Sequence, residues 1–563
     1  MAVITPNTDL YLLKVPLEIN DINQLDFDNA TAQYNYFNSL PKLIVEDFTY
    51  QRKDNTIRFP AQFDEIITYN YVMYRNNEYS NKWFYAFITN MEYVNDNMTM
   101  ITIKSDVWQC WQFDLTFKPC LIDREHVNDD TRGAHTLPEG LELGEMVSNG
   151  SLINFGGASD FCTVVEVSQI ENTGESATLS YTWSSGTHDE TPRLNGIDRG
   201  TIPLVLGILD GVQNTPSAIT RVYDFAGLGE SIVNIYLLPK NLIGSYNQIT
   251  ITATSGGVSN SFTCVIPSMT SDVTTIGTYN FTAPSTLNSY IPKNNKVLTF
   301  PYCYFNISNS SGASVPYHYE DFSSNTFSFK TEGTFGPSGN IKSTPQNYKF
   351  ITPSENATDY SITGPKYPIC SWKSDSYTNW LTQNAVNMET QWRTAILGTA
   401  VATIGGAARG AVRGGGLQGA ALGGAVGFVE NGASLISLAR EQHLQKTQAN
   451  LVPDQVKGNT SAGDFLWAKY RSPFTYIPMS VKPEVARCID EFFSQFGYKC
   501  NRVKIPNLTG RRNWNYVKTV GCYISADIPQ EDLQEIKNMF DNGITIWHNP
   551  LYFADYSQNN DII

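Results

Sequence analysis

The chain has 563 residues, enough for three or four domains, with 12% aromatic and only 17% charged residues, while Asn, Ser and Thr are abundant. This composition favours a β-rich, sandwich-like or barrel-like architecture over a helical bundle. The formal net charge of -15 argues against tight binding to nucleic-acid phosphates, although it does not argue against DNA that passes close by.

The cysteines and the N-terminus indicate where the chain is made. Nine cysteines are scattered from Cys110 to Cys522, with no CxxC pair and an odd total. This pattern is typical of reduced, buried thiols rather than of a disulfide framework. The N-terminal stretch lacks the basic region and long apolar core of a secretory signal peptide. We therefore expect synthesis in a cytoplasm.

Residues 1–145 are predicted to form an N-terminal β-rich domain. Apolar and polar side chains alternate there between turn signals. The alternation predicts strands over 50–59, 65–73, 82–91 and 98–103. The aromatic stretch 106–111 follows, and we expect it to lie where this sheet meets another element.

An acidic stretch at 123–130, with the sequence DREHVNDD, invites interpretation as a metal site. Carboxylates and imidazole are common metal ligands. The stretch nevertheless lacks the glycine and the bidentate glutamate of an EF-hand, and no second histidine follows one helical turn later. A polar connector without metal is the favoured interpretation.

Residues 146–370 are predicted to form a β-rich middle region on the outside of the molecule. The region is rich in Ser, Thr, Asn and Gly, and no sequence period indicates a solenoid or a propeller. The predicted strands cover 161–167, 177–183, 231–237 and 248–254. One short helix is predicted over 216–225.

The most unusual stretch is the Gly/Ala-rich segment, residues 394–436, of which about half is Gly or Ala and whose only charges are Arg409, Arg413 and Glu430. Small residues recur at every fourth position, so a helix would carry them on one face and allow two backbones to approach closely. The glycines that carry this pattern include Gly398, Gly406, Gly410, Gly414, Gly419, Gly423 and Gly427. The apolar residues predicted to cover the remaining surface are Ile396, Leu397, Val401, Ile404, Leu417, Leu422, Val426, Phe428 and Val429.

The length of the segment limits what it can be. Each charge-free run beside the two arginines has about 15 residues, whereas a membrane-spanning helix needs about 20. Two apolar arms joined by a basic turn instead predict a hairpin that is stored in protein contacts and inserted later. A flexible glycine-rich loop or a buried helical hairpin is the alternative. A flanking helix is predicted on either side of the segment, over 374–393 and 437–448.

Residues 456–563 are predicted to form a compact α+β part. A helix over 483–496 has proline in its first turn and Gly497 at its end, and a second helix is predicted over 529–541. Strands are predicted over 498–505 and 514–524. The predicted apolar face of the first helix comprises Val485, Cys488, Ile489, Phe492, Phe493 and Phe496.

No catalytic constellation is evident, because the chain has no GxSxG, HExxH, Walker or dinucleotide-binding motif in a suitable setting. Glu139, Glu142 and Glu145 have the residue type of a glycosidase pair, but acidic loops of this kind are common. His548 is the best-placed histidine and is predicted to cap or pack at the end of a strand. The sequence therefore predicts no enzyme, no cofactor and no metal site.

A series of motifs carries a resemblance to a known family. The motifs are QYNYFNS (33–39), NKWFYAF (81–87), DVWQCW (106–111), REHV (124–127), IVNIYL (232–237), GYKCNRVKIPNL (497–508), NYVKT (515–519) and FDNGITIWH (540–548). In this order and spacing the chain resembles the tail knob, or distal tail tube, proteins of small podoviruses of the phi-twenty-nine type, which infect Gram-positive bacteria. The resemblance is strongest in the N- and C-terminal parts, and residues 148–367 diverge widely apart from IVNIYL.

The resemblance implies a mainly β fold with a few helices, in a multidomain, tube-forming subunit with a long hydrophobic hairpin insertion. It implies a homohexamer at the tip of a short tail, whose tube is built from 1–145 and 456–563. The loop region, 371–455, would plug the lumen and, once released, would penetrate the host membrane for genome delivery.

The expected partners follow from this arrangement. They are other copies of the chain, the adjoining lower-collar protein of the tail, host membrane lipids and genomic DNA that passes through the lumen without specific binding. Arg409 and Arg413 are suited to anionic lipid headgroups. The alternative is a tail-tip protein whose middle region binds or degrades cell-wall polymer. A secreted pore-forming toxin is disfavoured, because the export signal is missing and the cysteines are odd in number.

Overall fold

The chain divides into two compact units in a computed structural model. The first unit comprises Met1–Val147, Pro284–Tyr304 and Ser480–Ile563, and the second comprises Ser148–Ala283 and Phe305–Met479. The structure describes residues 8–19, 22–48, 55–76, 81–167, 172–173, 178–183, 202–209, 216–226, 231–267, 274–336, 339–349, 360–366, 369–373, 455–459, 466–467 and 469–563.

Thirty strands and six α-helices lie within the described residues. Those of the N-terminal segment are β1 (Thr8–Leu13), β2 (Asn23–Leu25), α1 (Ala30–Ser39), β3 (Lys42–Phe48), β4 (Thr56–Phe59), α2 (Phe63–Ile66), β5 (Tyr71–Asn76), β6 (Trp83–Asn95), β7 (Met98–Ser105), α3 (Val107–Trp111), β8 (Thr116–Phe117) and β9 (Cys120–Glu125). The middle of the chain follows with β10 (Met146–Ser148), β11 (Phe161–Val167), β12 (Asn172–Thr173), β13 (Thr178–Trp183), β14 (Ile202–Leu206), α4 (Pro216–Phe225), β15 (Ile232–Pro239), β16 (Tyr246–Ser255), β17 (Val258–Pro267), β18 (Thr274–Thr282), β19 (Cys303–Ser308), β20 (Ser314–Tyr317), β21 (Thr326–Gly333), β22 (Ile341–Gln346), β23 (Ile362–Thr363) and β24 (Ile369–Lys373). The last elements are β25 (Gln455–Asn459), β26 (Thr475–Val481), α5 (Pro483–Phe496), β27 (Tyr498–Lys504), β28 (Trp514–Val520), β29 (Ile524–Ser525), α6 (Gln530–Asn542) and β30 (Ile544–Trp547).

The first unit contains a six-stranded sheet in the order β3-β1-β5-β6-β7-β4. Successive residues of β1 point to opposite faces, and both faces are buried. Leu10 and Leu12 join one hydrophobic cluster, while Tyr11 and Leu13 join another. Helix α1 covers the second face with Phe37, whose ring lies 5.6 Å from that of Tyr71.

A five-stranded sheet in the order β2-β30-β28-β9-β27 joins distant parts of the first unit. Helix α6 packs on one face through Ile536 and Phe540, which cluster with Val517 of β28. Helix α5 lies on the other face, where the rings of Phe496 and Tyr516 are 5.1 Å apart. N-terminal and C-terminal residues therefore share one core.

The buried carboxylate of Asp490, on α5, ties the segment Pro284–Tyr304 into the first unit. It accepts hydrogen bonds from the Tyr290 hydroxyl at 2.7 Å, from the backbone N–H of Lys293 at 2.7 Å and from the backbone N–H of Asn294 at 3.0 Å. The Asn294 side chain donates a further bond at 2.8 Å. A buried carboxylate requires such donors, because burial without them is costly.

The second unit contains a nine-stranded sheet in the order β12-β13-β16-β17-β14-β11-β15-β24-β25. Ile219, Val222 and Tyr223 of α4 pack on it in an aliphatic cluster. Two four-stranded sheets have the orders β10-β26-β19-β20 and β18-β21-β22-β23. The fold is therefore mainly β with a few helices, as the sequence predicts. No helix among the described residues has both the length and the apolar character needed to cross a membrane.

The element predictions are most accurate where one periodicity dominates. The helices over 216–225 and 483–496 and the strand over 161–167 have the predicted bounds. The strand predicted over 514–524 is too long, because β28 ends before Gly521, whose φ of +70° turns the chain. The eight cysteines whose side chains the structure describes form no disulfide.

Two expectations about elements and side chains are wrong, and one helix is missed. The strand predicted over 65–73 begins as helix α2, in which Asp64 and Glu65 occupy the first turn, and only its end belongs to β5. Helix α1 escaped prediction because its buried side chains are only Gln33 and Phe37. On α5, Cys488 is exposed and Asp490 is buried instead, since its bonding partners lie on that side.

Candidate functional site at the base of the insertion

The ends of one long insertion, residues 374–454, lie side by side. Strand β24 ends at Lys373, strand β25 begins at Gln455, and the two strands pair in antiparallel orientation with Lys373 opposite Gln455. Opposed residues of antiparallel strands have Cα atoms about 4.5–5.5 Å apart. The chain therefore leaves and re-enters the second unit at one point, and we call this strand pair the stem.

The stem continues the nine-stranded sheet. Strand β24 pairs with β15, where Asn234 lies opposite Ser371 and Tyr236 opposite Ile369. Strand β15 in turn pairs with β11 along seven registered positions. A ladder of backbone hydrogen bonds thus connects the two ends of the insertion to the centre of the sheet.

A buried polar cluster fixes strand β15, which pairs with strand β24 of the stem. The carboxylate of Glu166, on β11, accepts a hydrogen bond from the Asn234 side chain at 2.7 Å and one from the Tyr236 hydroxyl at 3.0 Å. Burial raises the pKa of Glu166, while the two donors lower it. Both donors belong to β15 and lie opposite β24, so the cluster sets the register next to the stem.

The residues predicted to act in the membrane lie outside the described residues. All of them, from Ile396 to Val429 and including Arg409 and Arg413, fall within residues 374–454. The flanking helices predicted over 374–393 and 437–448 fall within this range as well. Sequence reasoning missed the strand pair of the stem, because ICSWK and QVKGN are short and show no clear alternation.

Glu139, one of the three glutamates considered for glycoside hydrolysis, has a structural role in the first unit. Its carboxylate is fully buried and forms ion pairs with Arg124 and Lys296. It also accepts the backbone N–H of Lys499 at 3.0 Å. Glu145 is exposed and pairs with Lys482 at 2.7 Å. The Glu139 carboxylate therefore lies in a buried ionic cluster, where it does not reach the solvent.

The stretch 123–130 is a junction whose side chains bond to other elements of the first unit. The Nδ1 atom of His126 accepts the backbone N–H of Tyr516 at 2.7 Å, and its Nε2–H donates to the Ser494 carbonyl at 3.1 Å. Burial, together with the nearby charge of Arg511, lowers the pKa of His126 to about 3. Glu125 accepts the Asn507 backbone N–H at 3.1 Å and pairs with Lys504. Within the described ranges no group of three potential metal ligands occurs.

His548 packs between strands at the end of β30. Its Nδ1 lies 3.2 Å from a carboxylate oxygen of Asp26, and its Nε2 lies 3.1 Å from the side-chain oxygen of Asn515. The ring therefore connects the C-terminal strands to the N-terminal segment, which agrees with its predicted packing role.

Comparison with known proteins identifies the family. A family model described as Bacillus phage phi29, Tail knob protein gp9, C-terminal domain matches residues 262–561, and one described as Caudoviral major tail protein N-terminus matches residues 7–116. The chain belongs to the phi29 tail knob protein gp9 family. It is thus a structural component of a phage tail, and a tail knob assembles with other tail proteins.

Individual relatives extend the match over nearly the whole chain. The tail knob proteins gp9 of Bacillus phages PZA and phi29 are each 27% identical over 98% of this chain and 98% of their own. That of Bacillus phage B103 is 28% identical over 95% of both chains. These alignments include the middle region, so the resemblance reaches further than the motifs indicate.

A solved tail knob protein shares the fold. The structure of the bacteriophage C1 tail knob protein, gp12, superposes with a TM-score of 0.60 at 12% identity, and the match covers 99% of this chain and 100% of that one. The similarity therefore extends over both units.

Proposed function

We propose that six copies of this tail knob protein form a ring, that the insertion of each copy plugs the lumen, and that release of the insertions opens the host membrane to the genome. The observation that carries this proposal is the stem. It holds both ends of a segment that contains a long Gly/Ala-rich apolar core at one point of the nine-stranded sheet. Such an attachment lets the segment change its surroundings while the sheet stays folded.

The energetics allow two states of similar free energy. Burial of apolar surface contributes about 25 cal/mol per Å² removed from water, whether the surface enters a protein lumen or a lipid bilayer. The difference between the two states is therefore small compared with either contribution, and a modest trigger can select between them.

The composition of the Gly/Ala-rich segment favours a membrane path formed jointly by several copies over a helix that crosses the membrane alone. Each charge-free run has about 15 residues, below the about 20 of a full crossing. Glycines at every fourth position, such as Gly406, Gly410 and Gly414, would allow insertions from neighbouring copies to pack closely. Arg409 and Arg413, at the turn, would contact anionic headgroups.

The remaining partners follow from position in the tail. The adjoining lower-collar protein would hold the ring at the tail, and DNA would pass through the lumen. The net charge of -15 favours passage without specific binding, since phosphate binding depends on Lys and Arg.

Vesicle leakage tests this function. Wild-type protein should release dye from anionic vesicles after the insertions are exposed by mild acid or heat. A variant that lacks residues 394–436 should keep the ring and lose the leakage. Replacing Arg409 and Arg413 by Gln should weaken leakage from anionic vesicles more than leakage from neutral ones. Leakage that persists without residues 394–436 would refute the assigned role.

A further inference from the structure

One cavity of the first unit is lined by a buried carboxylate. The cavity has a volume of about 200 Å³, and its walls come from β6, β7, the start of α3 and the C-terminal half of α6. All of its lining residues belong to the first unit. Ile19 and Ile22 line it and are each 41% exposed, so the cavity opens to the solvent beside them.

The buried carboxylate belongs to Asp106, the N-cap residue of α3, which is only 3% exposed. Its oxygens accept hydrogen bonds from the Tyr71 hydroxyl at 2.7 Å and from the backbone N–H of Gln109 at 3.1 Å. Both donors are neutral, and the charged group with the largest effect on Asp106 is Glu535, which has the same sign. Burial raises the pKa of Asp106 to about 6, so the group is ionised at neutral pH. A buried anion in such surroundings is stabilised by a nearby cation.

The other polar residues of the cavity wall also favour a cation. Glu535 lies on the wall and pairs with Lys104 at 2.9 Å, and both side chains are partly exposed. One lysine thus accompanies two carboxylates. Asn538 and Asn542 add amide groups, and α6 ends there without a basic residue in its last turn. Because the C-terminal end of a helix carries a partial negative charge, the cavity has an excess of negative charge.

Apolar side chains form the rest of the wall. Phe87 and Val107 are nearly buried there, and Met539, Ile19 and Ile22 lie beside them. A hard metal ion is held by oxygen ligands and would leave these apolar groups without a contact. An arginine side chain has an apolar stem and a planar guanidinium with five N–H donors. Its two parts match the two kinds of wall.

We propose that this cavity binds an arginine side chain of a partner protein. The guanidinium would pair with Asp106 and Glu535, and the residues beside the arginine would cover Ile19 and Ile22 at the mouth. Arginine anchors in concave sites are typical of protein interfaces. The chain belongs to a family of tail knob proteins, which assemble with other tail proteins, and such a contact needs anchoring sites. The proposal depends neither on the ring nor on the release of the insertion.

A matched pair of peptides tests the site. The probe is acetyl-Ala-Arg-Ala-amide, and the control peptide carries citrulline, which has nearly the same shape as arginine but no charge. Each peptide is titrated into the full-length protein labelled with ¹³C at the methionine methyl groups. The signal of Met539, assigned with the variant Met539→Leu, reports on the cavity wall. We expect the arginine peptide to shift this signal and to bind at least about tenfold more tightly than the control, because hydrogen bonds to charged groups are the stronger ones.

Substitutions in the wall separate this site from a general attraction to an acidic protein. Asp106→Asn removes the charge and keeps a favourable N-cap residue, and Glu535→Gln removes the charge of a partly exposed side chain. Each should weaken binding of the arginine peptide by at least about tenfold. Lys104→Met removes the resident cation and should tighten binding by about threefold. The matched control is Glu531→Gln, an exposed carboxylate in the first turn of α6, which should leave binding unchanged.

Three results would overturn the inference. They are equal affinities for the two peptides, a Met539 signal that the arginine peptide does not shift, and wild-type binding by Glu535→Gln together with Asp106→Asn. A Met539 signal that shifts with calcium chloride and not with the arginine peptide would overturn it as well, and would assign the cavity to an inorganic cation. If Asp106→Asn does not fold, Glu535→Gln decides alone.

Discussion

The first unit and the stem both hold distant parts of the chain together, but by different means. In the first unit, the buried side chain of Asp490 receives four hydrogen bonds from the segment around Asn294. At the stem, the backbone ladder between β24 and β25 brings the two ends together. Hydrogen bonding to one buried carboxylate requires particular side chains, whereas backbone pairing between two strands can form with many sequences. The difference implies that the first unit is sensitive to single substitutions and that the stem is not.

The largest expected effect follows from removing the carboxylate of Asp490. Asp490→Ala leaves several buried donors without an acceptor, and we expect the free energy of unfolding to fall by about 3–5 kcal/mol. Urea denaturation monitored by tryptophan fluorescence measures this change. The matched control is Glu491→Ala, the exposed neighbour, which should stay within about 0.5 kcal/mol of the wild type. Equal effects of the two substitutions would show that the first unit does not depend on this buried carboxylate.

A second test concerns the close packing at the end of α5. Gly497 has a φ of +64°, and an added Cβ would lie 2.2 Å from the Glu125 carbonyl oxygen. Gly497→Ala should therefore destabilise the protein by about 2–4 kcal/mol, from backbone strain and the clash together. Gly521 has a similar φ of +70° but no atom within 4 Å of the added Cβ. Gly521→Ala should cost only about 1 kcal/mol. A smaller loss at Gly497 than at Gly521 would show that the junction is loosely packed.

The pH dependence of stability tests the junction at His126. Its pKa is lowered from 6.5 to about 3, so unfolding takes up a proton between these values and stability falls as the pH drops through them. The expected slope is about 1.4 kcal/mol per pH unit for this one group. Asp106 has the opposite effect, because burial raises its pKa to about 6 and its protonated form is favoured on folding. His126→Gln should reduce the loss of stability between pH 6.5 and 4. An unchanged pH profile would show that the pKa of His126 does not differ between the folded and unfolded states.

The smallest effect is expected next to the stem. Glu166→Gln keeps the size of the side chain but loses one of its acceptor positions toward Asn234 and Tyr236. Because the backbone ladder remains, we expect a cost of about 1 kcal/mol. Hydrogen exchange should show that the amides of β15 remain protected. A cost as large as that of Asp490→Ala would mean that the stem depends on its buried carboxylate.

The sequence predicts local elements better than it predicts the site. Helix α5 has the predicted bounds, because proline at its start and Gly497 at its end are strong signals. The buried positions of that helix are harder, since the burial of Asp490 depends on a segment about 200 residues away in the chain. The stem shows the same limit, because the pairing of Lys373 with Gln455 joins residues on either side of a long insertion. Such pairings follow from the fold of the whole sheet.

Imaging of assembled particles by cryo-electron microscopy tests the central claim most directly. The account predicts a sixfold ring whose channel contains density in the wild type, and the same ring with an empty channel in a variant that lacks residues 394–436. A monomer, or a ring whose channel is equally empty in both proteins, would contradict it.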